Sequence, residues 1–302
     1  MAMSIKGVNT GVIRKANEFI ALALKIKEPR NKESLFFLTA LELRDLLIAL
    51  ESRLHQKHHL SPNARQQYEK ARDRVSKKML ESIPAIQEEE LKNADINRRV
   101  NTLTLVDDQS ENVMLSFTLH DGKTCELMIN ELQIDVLVRA IIRAIDNAGM
   151  RELVLRITSL LDFLPLYDAD CLDNGNLEYD AYAQPEWKHN LFSHYLAVLY
   201  RYTDETGKTH FSGAVVKNRT PSGSKEAEAI SRRLLDFSQR LKKLAGKPCQ
   251  VFVRTLTADK THKTHSGAVP ARVASFTRAV GRESEKRLMA LRLSGLRSHT
   301  PV

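Results

Sequence analysis

Residues 19–26 (FIALALKI) place Ile20, Leu22, Leu24 and Ile26 on one face at a period of two, which predicts a half-buried strand. The polar run EPRNKES turns the chain, and LFFLT from Leu35 returns it as a second strand, closing a hairpin. Thr39 with Glu42 three residues later reads as a capping box, in which each side chain satisfies a free N–H at a helix start. Beyond it Leu43, Leu46, Leu47, Leu50 and Leu54 keep the i, i+3, i+4, i+7 spacing of a helix over about 40–56. Ser61-Pro62 supplies a cap and a proline at the first helical position of a second helix, about 62–82, whose stripe of Tyr68, Val75 and Met79 is sparse. Pro84 ends it.

Strand patterns return at 99–106, 112–119 and 124–129, with Asp121-Gly122 as the tight turn between the last two. Asn130 and Gln133 form another capping box, and Ile134, Leu137, Ile141, Ala144 and Ala148 give the following helix its apolar stripe before Gly149 stops it. Placing Thr39 on Asn130 aligns Leu43 with Ile134, Leu46 with Leu137, Ala49 with Ala140 and Leu50 with Ile141. The expectation is a duplicated strand-strand-helix unit.

A short helix at 151–163 is expected to close at Pro165, and the acidic stretch from Tyr167 to Gln184 reads as a long loop. Residues 195–203 and 209–217 predict a hairpin across DETGK. Ala227, Ile230, Leu234, Phe237, Leu241 and Leu244 then predict one helix over 225–244, capped by Ser224, and CQVFVRTL from Cys249 predicts a last strand. The fold class that follows is α+β: duplicated strand-strand-helix units with mainly antiparallel sheets, plus a C-terminal hairpin-helix-strand unit. The expected division is 1–149 with a helical insertion at 56–98, then 150–256, then a mobile basic tail at 257–302.

Composition narrows the function classes. No apolar run follows Lys6, Arg14 and Lys15, which predicts no secretory signal, and no stretch approaches the roughly 18 apolar residues of a spanning helix, so a cytoplasmic protein without membrane contact is expected. Cys125, Cys171 and Cys249 are odd in number and far apart, which predicts neither a disulfide framework nor a zinc pair. The net charge of +9 is unevenly spread: residues 1–100 carry 19 Lys+Arg against 13 Asp+Glu, 101–200 carry 6 against 16, and 201–302 carry 21 against 8. Basic ends around an acidic middle suit nucleic-acid binding or docking within the chain.

Candidate chemistry is sparse. Gly-Lys-Thr occurs at Gly122 and Gly207, but a phosphate loop needs a glycine where Phe117 and Tyr202 stand, and both triplets fall in hairpin turns. The stretch with Asp168, Asp170, Asp173, Asn174, Asn176, Glu178 and Asp180 offers hard oxygen ligands. Aligned as a calcium loop on Gly175, however, it puts Leu172 and Ala181 at ligand positions, so a solvated acidic loop is expected. His189 and His194 lie five apart, too far round a helix to share a face, and packing of Trp187, Phe192 and Tyr195 explains that segment more simply. Val198, Tyr200 and Tyr202 share a strand face, with Arg201 opposite and Lys217 and Arg219 on the partner strand; aromatics beside cations can stack bases, but core packing is the favoured reading. No catalytic, cofactor-binding or metal-ligating residue is assigned, and no cofactor is called for.

The opening MAMSIKGVNTGVIRK, the stretches ELRDLLIALESRLHQKH and ELKNADINRRVNTL, and above all RITSLLDFLPLYDADC with QPEWKHNLFSHYLAVLYRY resemble the YjeJ-like family of enterobacterial proteins over about residues 1–256. The resemblance carries over neither a reaction nor ligand residues. A duplicated strand-strand-helix build also resembles Whirly and PUR single-strand-binding domains, at the level of fold alone. Two functions compete: a non-enzymatic binding or regulatory protein whose partner is nucleic acid or another protein, and an enzyme with a site around the acidic loop and His189. For the first, the expected nucleic-acid contacts are Arg272, Arg278, Arg282, Lys286, Arg287, Arg292 and Arg297. Oligomeric state is not legible.

Overall fold

The computed structural model describes residues 2–56, 61–107, 111–174, 176–219, 223–256 and 298–299. The chain divides into two compact units, Met1–Leu161 and Asp162–Val302. The first begins with β1 (Met3–Ser4), β2 (Gly7–Lys15), β3 (Glu18–Lys27), β4 (Glu33–Leu38) and α1 (Ala40–Gln56). Next come α2 (Pro62–Leu80), α3 (Glu88–Lys92) and a 3-10 turn, Ile96–Arg98. The unit ends with β5 (Val100–Asp107), β6 (Asn112–Leu119), β7 (Thr124–Asn130), α4 (Glu131–Asn147) and α5 (Arg151–Ser159).

β2-β3-β4 and β5-β6-β7 are antiparallel sheets, each passing directly into a 17-residue helix. Leu46 and Leu137 are fully buried in those helices. Asn130 and Gln133 form the expected box, whereas at α1 the Thr39 hydroxyl donates to the Glu42 carboxylate. The two sheets meet at both margins. Phe37 and Arg99 form a parallel bridge on one side, and on the other β1 lies parallel to β7 (Met3 opposite Leu127) before the chain crosses into β2 (Gly7 opposite Lys27). Phe36 and Phe117 join the cores edge to face at 5.6 Å.

The sequence pattern missed β2 because GVNTGVIRK alternates weakly and holds two glycines. Gly7 is needed for close approach, since a Cβ there would lie 2.0 Å from the Ser82 carbonyl oxygen. Each sheet is therefore three strands followed by a helix, not two. β3 departs from the half-buried expectation as well. Leu22, Leu24 and Ile26 face the core, but Ala21, Ala23 and Lys25 on its other face are also buried, the two alanines packed with Phe37, Ile13, Leu35 and Leu91.

The second unit holds β8 (Phe163–Cys171), β9 (Leu177–Ala181), α6 (Glu186–Leu191), β10 (His194–Thr203), β11 (Thr209–Asn218), α7 (Ser224–Phe237), a 3-10 turn Leu241–Leu244, β12 (Gln250–Leu256) and β13 (Ser298–His299). They form one antiparallel sheet in the order β13-β12-β10-β11-β8-β9. Val198 and Tyr200 are core residues, the tyrosine hydroxyl donating to the Ser231 carbonyl of α7. The core reading of that face thus holds for both.

Four expectations are corrected here. The acidic stretch is not a loop: it supplies the hairpin β8–β9, in which Leu164, Leu166 and Ala169 are buried. Pro165 does not close a helix but sits within β8, where the register shifts opposite Val215/Val216, a bulge that tolerates a residue with no N–H. The single helix over 225–244 is broken at Ser238, whose hydroxyl serves the buried Asp168 carboxylate and accepts from the Leu241 N–H. Helix α7 also starts without a side-chain cap. Ile230, Leu234 and Leu241 are buried as expected, while Phe237 is half-buried against Phe163 and Tyr182.

Candidate functional site

The densest charge constellation of the second unit is on the outer hairpin. Asp168 lies directly opposite Asp180 across β8–β9, and Asp170 directly opposite Glu178. Like charges facing each other across a strand pair destabilise it, so this hairpin requires a cation. Arg240, in the break between α7 and the 3-10 turn, provides it. Its Nη1 donates to Asp170 at 3.0 Å and its Nε to Asp180 at 3.0 Å, with Glu178 at 3.4 Å and Asp168 at 3.9 Å. Lys243, on the turn that follows, donates to Asp170 at 2.7 Å.

Asp168 is almost wholly buried, yet one of its oxygens accepts from both Tyr182, at 2.6 Å, and Ser238. Burial pushes the Asp170 carboxyl up, but the hydrogen bonds from Lys243, Ser212 and Arg240 outweigh it and hold the group below the usual range. Burial pulls Arg240 down, and Asp170 and Asp180 more than restore it, so the guanidinium stays charged. Burial, with the bond to Asp168, pushes the Tyr182 phenol up. Burial also pushes the Cys171 thiol up to about 11, with Asp170 adding to it, which leaves no thiolate near neutral pH. These are the energetics of a closed ion network. Among the described residues, no group of His, Cys, Asp and Glu is arranged to hold a metal ion.

His189 is elsewhere, on α6. Burial and the nearby Lys217 ammonium lower its pKa, opposed by Glu186, and its own carbonyl accepts from Lys217 at 2.7 Å. The charged groups acting on it are thus Lys217 and Glu186, not the hairpin carboxylates. Trp187 and Phe192 are buried. The cations of this segment lie on aromatic faces: Lys188 over Trp187, Lys217 over Tyr195 and Arg219 over Phe192, at 5.4, 5.1 and 4.6 Å from the ring centroids. Both Gly-Lys-Thr triplets are in hairpin turns, with Gly122 and Gly207 at positive φ.

The residues expected to contact nucleic acid, Arg272, Arg278, Arg282, Lys286, Arg287, Arg292 and Arg297, lie outside the described residues. Arg240 was the residue sequence reasoning missed. Its signal was the pair of Asp residues two apart in an otherwise apolar run, which would demand a basic partner once that run is a strand.

The YjeJ-like family profile matches residues 1–269. This chain belongs to the YjeJ-like family. A relative described as uncharacterized protein YjeJ, from Escherichia coli (strain K12), is 74% identical over 259 residues, covering 86% of this chain and 90% of that protein. No solved structure matches the chain significantly. Among the described residues no helix is long and apolar enough to cross a membrane.

Proposed function

We propose that this chain is a non-enzymatic, cytoplasmic binding protein that contacts nucleic acid through its basic C-terminal third. The observation that supports this is the sorting of charge in the second unit. On β8 the Asp168 and Asp170 carboxylates are held within the fold beside Arg240 and Lys243, whereas Lys225, Lys242, Lys247 and Arg254 stand exposed on α7, the 3-10 turn, its exit and β12. The segment 257–302 adds 9 Lys+Arg against 3 Asp+Glu, a net +6. Exposed cations continued by a basic segment favour a polyanionic partner. We also take the paired sheet-plus-helix units, with Leu46 and Leu137 at matching positions, as an internal duplication. The enzyme reading has less support, because Asp170 is engaged by three donors and His189 answers to different charges.

The test is binding of the full chain to mixed-sequence single- and double-stranded DNA and RNA across salt. If ~4 phosphates are engaged, the log-log slope on duplex DNA is expected near −3.6. Replacing Arg272, Arg278, Arg282, Lys286, Arg287, Arg292 and Arg297 together by Gln should weaken binding and flatten the slope, with little sequence preference in either protein. No binding by the unaltered chain at low salt removes the proposal.

A further inference from the structure

We propose that a cleft in the first unit binds a small monocarboxylate with an apolar body. β2, the end of α2 and the C-terminal half of α4 enclose a cavity of about 330 Å³. This is roughly twice the ~150 Å³ cavity that admits benzene, which gives room for about eight to ten carbon atoms.

The cavity follows from the two faces of α4. Ile134, Leu137, Ile141 and Ile145 enter the core. The adjoining face turns Ala140 and Ala144 toward α2, where larger side chains would have filled the space. The walls are tied to one another and so are not free to collapse inward. The Thr10 hydroxyl donates to the Ala140 carbonyl at 2.8 Å, and the Asn9 amide donates to the Pro84 carbonyl at 2.8 Å. Gly7 permits the chain after α2 to cross β2 in contact.

The lining states what the ligand must carry. Leu80 and Ile83 border the cleft while 60% and 48% exposed, an apolar lip that an apolar body would cover. Arg139 is already taken by Asp135 of its own helix, but Arg143, one turn on, is exposed and has no ion pair among the described residues. A carboxylate head supplies the charge and the acceptor oxygens that Arg143 lacks. With one arginine left uncommitted, a singly charged head fits better than a phosphate monoester.

Isothermal titration of the full chain with decanoate and with 2-naphthoate separates acyl from aryl sources, and 1-decanol and 2-naphthol serve as uncharged controls. Saturable one-to-one binding of at least one acid, tighter than its alcohol, is expected. R143Q should weaken the acid about tenfold, the loss of one charge-assisted hydrogen bond, and leave the alcohol unchanged. Ala144→Leu should fill the cleft and abolish binding. Because that change could impair folding, Leu80→Asp at the exposed lip is the second variant, and it should abolish binding while the melting temperature holds. Absence of saturable binding by both acids, equal affinity for acid and alcohol, or binding that survives Leu80→Asp overturns the proposal.

Discussion

In the first unit Lys25 projects from the central strand β3 and meets Glu90 at 2.7 Å, Glu33 at 3.2 Å and the Ala85 carbonyl at 2.7 Å. In the second, Arg240 lies beside the edge hairpin among four carboxylates. The lysine is the guest of its network: it shares its strand face with the buried Ala21 and Ala23, and two of its partners, Ala85 and Glu90, come from a segment sixty residues away that it pins down. The arginine is the host. Its carboxylates are fixed opposite one another by strand register, and without it the hairpin repels itself. Removing each cation should therefore have different consequences.

The largest effect is expected from Arg240→Ala. It removes the guanidinium beside the buried Asp168 and the mostly buried Asp170, leaving Lys243 as the cation and Tyr182, Ser238 and Ser212 as the donors that remain, a loss of about 3–5 kcal/mol measured by denaturant titration. Arg240→Lys should restore only part of this, since a point charge cannot serve Asp170 and Asp180 together. Lys25→Ala should cost less, about 2–3 kcal/mol, because Glu90 and Glu33 are a third exposed and water can take them back, whereas Asp168 and Asp170 are 1% and 17% exposed. Equal losses from the two changes would erase the distinction.

pH sharpens it. Asp170 is held below the usual carboxylate range, so its contribution is present above that range and lost as pH falls through the folded value. Lys25 is lowered by burial but raised further by Glu90 and Glu33, so its contribution is complete below the ordinary lysine value and lost as pH rises through the folded one. Acid should weaken the second unit's network more in the parent than in Arg240→Ala, where Lys243 and Ser212 still hold Asp170 down. Alkali should weaken the first unit's network in the parent and not in Lys25→Ala. Thermal melts across pH read both. The smallest effect is expected from Lys92→Ala, at the exposed i, i+4 pair with Glu88: about 0.5 kcal/mol or less.

What the sequence revealed follows the same division. Helices α1, α2 and α4 were legible because cap, stripe and stop agree locally, as at Ser61-Pro62 and Asn130–Gln133. The burial of Lys25 was not, because a lysine in an alternating strand reads as its wet face until the distant segment carrying Leu91 and Glu90 covers it. The acidic hairpin was missed for the complementary reason. Asp168, Asp170, Glu178 and Asp180 carry strong turn and solvent preferences, and only Arg240, far along the chain, makes a strand of them affordable. The break at Ser238 has the same origin, since its helical spacing was intact and its hydroxyl was claimed by Asp168. In the first unit, two alanines on α4 gave no sign that they border a cleft.

The crossing of the N-terminal chain between sheets sets the order in which the first unit can be made. β2, β3 and β4 find one another within a short stretch of chain, but Met3 has to wait for Leu127. During synthesis β1, made long before β7, is thus among the last elements of this unit to settle, and closure of the two sheets is a long-range, slow event. Until β7 emerges, the edge of β7's own sheet does not exist, and β1 is an unpaired strand in search of a partner.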